Sequence, residues 1–122
     1  MNVRILLADD HATARASLAM VLSHVDNIEI VGEASDGRMA VEMTEDLHPD
    51  VIIMDVRMPV LNGIEATRLI VSDHPDTKVI GFTMNYEASL AAAMHKAGAT
   101  ACLSKTDPID VLISTIRLCA AA

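Results

Sequence analysis

The sequence predicts one α/β domain, a doubly wound, five-stranded parallel sheet flanked by five helices. Short runs rich in apolar residues alternate five times with segments whose apolar residues recur at helical spacing. The central run, residues 51–54, is apolar throughout, which is typical of a strand that helices cover on both faces. Parallel strands need crossover connections, and the alternation supplies a helix for each.

The first two strand-helix units come before residue 48. Residues 3–8 predict the first strand, which ends at Asp9 and Asp10. The helix after it is defined by apolar residues at helical spacing, namely Ala14, Leu18, Val21, Leu22 and Val25. Residues 28–34 predict the second strand because turn-forming residues stand on both sides, and residues 38–47 predict the second helix.

The third unit surrounds Asp55. The strand at residues 51–54 stops at this acid, and the Asn62-Gly63 pair then turns the chain into a third helix at residues 64–73. Ligands of open α/β sheets bind at the carboxyl ends of the strands, where Asp55 would stand. Taken alone, the same pattern is equally typical of an ordinary junction with a solvated aspartate.

The last two strands also end at polar residues. Residues 78–82 predict the fourth strand, which ends at Thr83, and an Ala-rich fourth helix follows at residues 87–97. Residues 100–104 predict the fifth strand, which ends at Lys105. Each of the five strands thus has its helix.

The fifth helix has the clearest predicted start, with Asp107 as N-cap and Pro108 in its first helical position. Its predicted buried stripe consists of Ile109, Leu112, Ile113 and Ile116. A second, mildly apolar face with few charges consists of Val111, Ser114, Thr115 and Leu118. That face is a candidate surface for a partner.

Composition limits the classes of function. At 122 residues, the chain is large enough to bury roughly two-thirds of its unfolded surface. Its net charge of -8, from 17 acidic residues against 9 Lys and Arg, opposes binding to nucleic-acid phosphates. No segment approaches the ~18 apolar residues of a membrane span, and no secretory leader pattern is visible. With only two cysteines, far from metal-binding spacing, we expect a soluble protein of the reducing cytoplasm.

Polar side chains are expected to meet at one edge of the sheet. Asp9 and Asp10, Asp55, Thr83 and Lys105 each follow a strand, and parallel strands end at the same edge. Each has an ordinary alternative role: Asp10 as a helix cap, Thr83 as a partner of a backbone group, and Lys105 as a solvated lysine. Their coincidence favours a chemical site.

The residue types at this edge indicate phosphoryl chemistry. Converging carboxylates repel each other unless a cation joins them, and carboxylate, carbonyl and water oxygens are the ligands that suit Mg²⁺. A hydroxyl and an ammonium beside that ion would neutralise the oxygens of a phosphoryl group. Asp55, alone at a central strand end, is the candidate nucleophile for an aspartyl phosphate, whereas Asp9 and Asp10 are better placed to hold the metal.

With these site residues, the chain resembles the receiver domain of bacterial two-component response regulators. The resemblance covers Val3 to about Leu118. In that resemblance the phosphoacceptor is Asp55, the acidic pair is Asp9 and Asp10, and the switch hydroxyl and the phosphate-binding lysine are Thr83 and Lys105. The family's Met-Pro-x-x-(Asp/Asn)-Gly loop is Met58-Pro59-Val60-Leu61-Asn62-Gly63. Similarity to the LuxR-type (NarL/FixJ-like) subgroup lies in Asp9-Asp10-His11 with Arg15, Val31-Gly32-Glu33-Ala34 and Ala97-Gly98-Ala99.

The resemblance implies a flavodoxin-like strand order, 2-1-3-4-5, and a single receiver domain at residues 1–122, with any helix-turn-helix output domain absent from this chain. It also implies Mg²⁺ held by Asp10, Asp55 and the backbone carbonyl of Arg57, and by Asp9 mainly through water. The side chain of Arg57 is then expected to remain free near the pocket. His11 is expected to be a loop residue near the site and not a ligand.

The implied partner is a sensor histidine kinase, and the implied output is transcription, reached without direct nucleic-acid or membrane contact by this segment. LuxR-type receivers often form homodimers through their first and fifth helices, which makes such a homodimer a candidate here, and a monomer is expected nearly as strongly. The implied role is a signalling switch, not an enzyme, apart from self-phosphorylation and self-dephosphorylation.

Two positions depart from the family pattern. Cys102 stands where many members place an aromatic residue, and Thr106 replaces the proline common after the lysine. A thiol has too little volume to act as the missing ring, so the switch is expected to travel through residues 83–87 and the start of the fourth helix.

Two other functions remain open from the sequence. A phosphohydrolase of the haloacid-dehalogenase type also uses an aspartyl nucleophile, but it needs a second acid two residues later, where Arg57 stands. A receiver fold used only as an interaction module would not need the complete set of polar residues at the strand ends.

Overall fold

A five-stranded parallel sheet forms the centre of the computed structural model, which describes residues 2–121. Its strands are β1 (Val3–Ala8), β2 (Ile28–Ala34), β3 (Val51–Met54), β4 (Lys78–Thr83) and β5 (Ala101–Ser104). The helices between and after them are α1 (Ala12–Ser23), α2 (Gly37–Leu47), α3 (Gly63–Asp73), α4 (Ala88–Ala97) and α5 (Ile109–Ala121). The strands lie in the order β2-β1-β3-β4-β5, which confirms the predicted fold class.

The strand order reverses beside β1, which pairs with both β2 and β3. Backbone pairing continues past the ends of these strands: the N–H of Asp9 donates to the carbonyl of Ala34 (3.0 Å), and that of Asp55 donates to Ala8 (2.9 Å). Open α/β sheets bind ligands at such a reversal point. Both acids are therefore held by the sheet itself.

Two apolar cores cover the two faces of the sheet. Ile52 and Met54 of β3 pack with α2, α3 and α4 on one face, whereas Val51 and Ile53 pack with α1 and α5 on the other. All four are at most 3% exposed, as predicted for a strand covered on both sides. None of the helices within residues 2–121 is long and apolar enough to cross a membrane.

Side-chain caps fix the starts of two helices that border the functional edge. The carboxylate of Asp36 accepts from the N–H of Met39 (2.8 Å), and the amide oxygen of Asn62 accepts from the N–H of Glu65 (2.9 Å). Each cap satisfies a backbone donor that the first turn leaves unpaired. The starts of α2 and α3 are therefore set by their own sequences.

The predicted start of α5 is wrong. The helix begins at Ile109, and the Asp107 carboxylate accepts from the backbone N–H of Ser104 (3.3 Å), because the turn between β5 and α5 closes on itself. Ile109 is 38% exposed and does not belong to the buried stripe, which is continued at the other end of the helix by Cys119.

Candidate functional site

Asp55 lies directly after β3 and is 6% exposed. Its Oδ1 accepts from the backbone N–H of Arg57 (3.4 Å), and its Oδ2 lies 3.3 Å from Nζ of Lys105. Gly63, at the start of α3, packs so closely that a Cβ there would lie 2.1 Å from the Asp55 carbonyl oxygen. Asp55 is thus fixed by its neighbours along the chain and across the sheet.

Three carboxylates and one imidazole converge beside β1 and β3. Asp9, Asp10, His11 and Asp55 each offer one ligand atom, and these atoms all lie within 4.8 Å of one another. Asp9 is buried, whereas Asp10 faces solvent. Hard oxygen donors in such a cluster fit Mg²⁺, which accepts few protein carboxylates and keeps several waters. The donor chemistry therefore fits the metal that the sequence predicts.

His11 lies beside the acidic pair, near the site as the sequence predicts. Its Nδ1 is 3.2 Å from a carboxylate oxygen of Asp10 and 3.4 Å from one of Asp9, while most of the side chain is exposed. The backbone N–H of His11 also donates to Oδ1 of Asp9 (2.9 Å). The residue before α1 therefore contacts both acids of the pair.

Lys105 joins two of the acids. Its Nζ donates to Oδ2 of Asp9 (2.5 Å) as well as lying near Asp55, and its side chain is only 14% exposed. The alternative of a solvated lysine is therefore wrong. The backbone N–H of Lys105 donates to the carbonyl of Thr83 (2.8 Å), whose residue is 2% exposed at the end of β4. The structure thus places all of these strand-end residues at one edge.

Burial penalises each charge here, and the ion pairs outweigh that penalty for Asp9 and Lys105 but not for Asp55. Burial opposes ionisation of Asp9, but hydrogen bonds from Lys105 and the His11 backbone, with the lysine charge, lower its pKa below the usual value. For Asp55, burial outweighs the attraction of Lys105, and the negative charge of Asp9 also raises its pKa. Burial disfavours the Lys105 ammonium, yet the two carboxylates raise its pKa. Asp55 is therefore the more basic of the two buried acids.

The side chain of Arg57 is not free, contrary to the prediction. Its Nη2 lies 3.7 Å from Oε1 of Glu87, the residue before α4. Both side chains are more than half exposed, so the pair lies at the protein surface. Arg57 and Asp10 line the same open groove beside the acidic cluster.

Cys102 packs against a gap that a glycine leaves in the neighbouring strand. A Cβ on Gly81 would lie 2.9 Å from Sγ of Cys102 and 3.1 Å from Cε of Met94. Burial raises the pKa of the Cys102 thiol above its usual value. The thiol is thus part of the core between β4, β5 and α4.

From the sequence alone, no role at the site was predicted for Arg15 or Glu33. Nη1 of Arg15 donates to the backbone carbonyl of Asp9 (2.5 Å), and Nε donates to Oε1 of Glu33 (3.0 Å). Helical side chains point back toward the amino end of their helix, which is the signal that could have placed Arg15 near Asp9.

Comparisons with known proteins agree with this geometry. A family model described as the response regulator receiver domain matches residues 5–117. The chain is 34% identical over 116 residues to the response regulator GacA of Pseudomonas viridiflava, covering 95% of this chain and 54% of that protein. It is 39% identical over 115 residues to the response regulator UvrY of Escherichia coli K12, covering 94% and 53%. The chain thus spans about half the length of these curated relatives.

Solved structures give the same result. A two-component response regulator of the LuxR family from Aurantimonas sp. SI85-9A1 superposes with a TM-score of 0.94 at 29% identity, covering 99% of this chain and 86% of that one. The response regulator domain of Thermotoga maritima CheB gives 0.93 at 32% identity, covering 100% and 98%. The chain therefore belongs to the receiver domain family of two-component response regulators, and its similarity to the Aurantimonas protein supports the LuxR type.

Proposed function

We propose that this domain accepts a phosphoryl group on Asp55 from a partner sensor histidine kinase in a Mg²⁺-dependent step, and that the phosphorylated domain switches conformation to control transcription. The observation that carries the proposal is the position of Asp55. Its carboxylate is buried at a central strand end, 3.3 Å from the Lys105 ammonium and within 4.8 Å of ligand atoms of Asp9 and Asp10.

The proposed step is a phosphoryl transfer between side chains. A carboxylate oxygen of Asp55 attacks the phosphorus of a phosphohistidine, so that a P–O bond forms, the P–N bond breaks and the electron pair stays on the histidine nitrogen. The Lys105 ammonium neutralises a phosphoryl oxygen, and the Thr83 hydroxyl donates to another after transfer. Asp10, Asp55 and the Arg57 carbonyl would hold Mg²⁺, with Asp9 acting mainly through water. Bound there, the ion would neutralise charge on the phosphoryl oxygens.

The two alternatives have less support. A phosphohydrolase of the haloacid-dehalogenase type lacks its acid at position 57, where the arginine is paired with Glu87. A phosphorylation-independent interaction module would have no use for the buried charges of Lys105, Asp9 and Asp55. Removing such charges from water costs free energy that their mutual attraction does not fully offset.

Intact-mass spectrometry tests the phosphoacceptor. Incubation with acetyl phosphate and Mg²⁺ should add one phosphoryl group to the wild type, and EDTA should prevent it. Asp55→Asn should abolish the addition, whereas Asp46→Asn, at an exposed position of α2, should leave it unchanged. Undiminished labelling of Asp55→Asn would refute the assignment of Asp55 as the phosphoacceptor.

A Mg²⁺ titration tests the metal ligands. Asp10→Ala should bind Mg²⁺ more weakly than the wild type, and equal affinity would exclude Asp10 as a ligand.

The same proposal includes the assembly and the output. Leu118 of α5 is 73% exposed and Val21 of α1 is 47% exposed, which leaves apolar side chains for a homodimer through these helices. DNA contact is assigned to a part of the protein other than this acidic domain. Sedimentation with and without beryllofluoride tests the dimer, and a monomer in both states would contradict it.

A further inference from the structure

Arg15 is a largely buried cation next to the acidic pair, Asp9 and Asp10. Only 16% of its side chain is exposed, although it stands on the first turns of α1. It lines a small cavity together with Asp9, Asp55 and Lys105. A guanidinium in this place is costly to desolvate, so its hydrogen bonds indicate what it does there.

Those hydrogen bonds connect three elements. Nη1 donates to the carbonyl of Asp9, in the peptide that joins Asp9 to Asp10, and Nε donates to Glu33 on β2. The orientation of that peptide sets the direction in which the Asp10 side chain leaves the backbone. The N–H of Asp9 is already bound to Ala34, so the guanidinium holds the other end of the same residue.

We propose that Arg15, itself held by Glu33, is a positioning residue that orients the Asp9–Asp10 peptide and thereby sets the affinity of the acidic cluster for a divalent cation. This inference rests on the proposed function, in which Asp9 and Asp10 hold Mg²⁺. Outer-shell groups that orient metal ligands typically change affinity by 10–100-fold when they are removed. Because Arg15 acts through the main chain, the expected loss is at the lower end, about 10-fold.

The sign of the effect separates positioning from simple electrostatics. Arg15 carries a positive charge close to the cluster, so neutralising it would by Coulomb's law tighten the binding of a cation. Loss of positioning weakens binding instead. Arg15→Met keeps an unbranched apolar side chain and removes both the charge and the donors, so the two explanations predict opposite changes.

The experiment is a Mg²⁺ titration of the full chain, followed by the backbone amide NMR signals of Asp55 and its neighbours at constant ionic strength. Arg15→Met should raise the Kd about 10-fold, and Arg15→Lys should give an intermediate value, because an ammonium cannot reproduce the fork of the guanidinium. Arg68→Met is the matched control, since Arg68 also pairs with a glutamate (2.6 Å to Glu65) but lies on α3. Its Kd should equal that of the wild type.

A second readout separates metal binding from the step on Asp55. With acetyl phosphate, Arg15→Met should be labelled more slowly at low Mg²⁺ and should approach the wild-type rate at saturating Mg²⁺. If Arg15→Met does not fold, Glu33→Gln decides the question, because it leaves the arginine in place but removes one of its partners. Its Kd should rise at high salt, where charge effects are screened, by less than the about 10-fold expected for Arg15→Met.

The positioning role would be refuted by an unchanged or tighter Kd in Arg15→Met. If only Glu33→Gln folds, an unchanged Kd in that variant would refute it. Either result would leave the proposed function intact. A wild type that shows no saturable Mg²⁺ binding and no labelling would instead overturn the proposed function. Equal weakening in Arg68→Met would also refute the inference, since the effect would then not depend on the Asp9 carbonyl.

Discussion

The two halves of the functional edge are built differently. Around β1 and β3, Asp9 and Asp55 are almost fully buried and bonded through backbone and side chain. Around the β4–α4 loop, Met84 is 62% exposed and Tyr86 is 48% exposed. Phosphoryl transfer requires reacting groups that are held in a fixed geometry. A conformational response requires a segment that can rearrange at a small cost in free energy. The contrast agrees with the proposed function, in which the first half would carry the reaction and the second half would change conformation in response.

The rigid half should be the more sensitive to added volume. A Cβ on Gly63 would lie 2.1 Å from the carbonyl oxygen of Asp55 and 2.9 Å from Cα of Val56, and backbone cannot move aside cheaply. We expect Gly63→Ala to lower the free energy of unfolding by about 3 kcal/mol in urea denaturation, at the upper end for overpacking.

Gly32→Ala is the matched control for that prediction. Its Cβ would meet the terminal methyl of Met43 at 2.6 Å, and a flexible side-chain end can shift. We expect a loss below about 1 kcal/mol, since the methionine can repack at modest cost. Equal losses in the two variants would show that the backbone near Asp55 is not specially constrained.

Most of the fold could be predicted because it depends on patterns along the chain. The all-apolar run at residues 51–54 and the turn at Asn62-Gly63 are local signals, and the structure follows them with a buried strand and the start of α3. Asp107 was predicted incorrectly for a local reason as well: its carboxylate could bond either forward to the helix or back to Ser104, and the turn favoured the latter.

The side-chain links across the site were less predictable. The convergence of Asp9, Asp10, Asp55 and Lys105 follows from strand ends, which topology fixes. The pairing of Arg57 with Glu87 depends on how two loops approach each other, and no spacing in the sequence encodes that distance. Long charged side chains have many rotamers, so their partners emerge only from the tertiary structure.

The responsive half should depend on Thr83 more than on Cys102. Thr83→Ala should leave phosphorylation of Asp55 largely intact but remove the change in amide exchange of the α4 region that beryllofluoride induces. Cys102→Ala should preserve that change, because its thiol fills a small gap over Gly81 and has no ring to move. The proposed route would be wrong if Cys102→Ala erased the response and Thr83→Ala preserved it.

The smallest expected effect concerns the one ion pair described between the two halves. Arg57 and Glu87 are 61% and 58% exposed and 3.7 Å apart, so their contribution to the free energy of unfolding should be below about 0.5 kcal/mol. A double-mutant cycle of Arg57→Ala and Glu87→Gln should give a coupling of this size that disappears at about 1 M salt, where screening is complete within a few ångströms. The surface pair Arg68 and Glu65, within α3, is the control cycle. If the Arg57–Glu87 coupling free energy instead exceeded about 2 kcal/mol or did not fall with salt, the pair would hold the β4–α4 loop firmly in place. That loop could then not be the easily rearranged segment that the response requires.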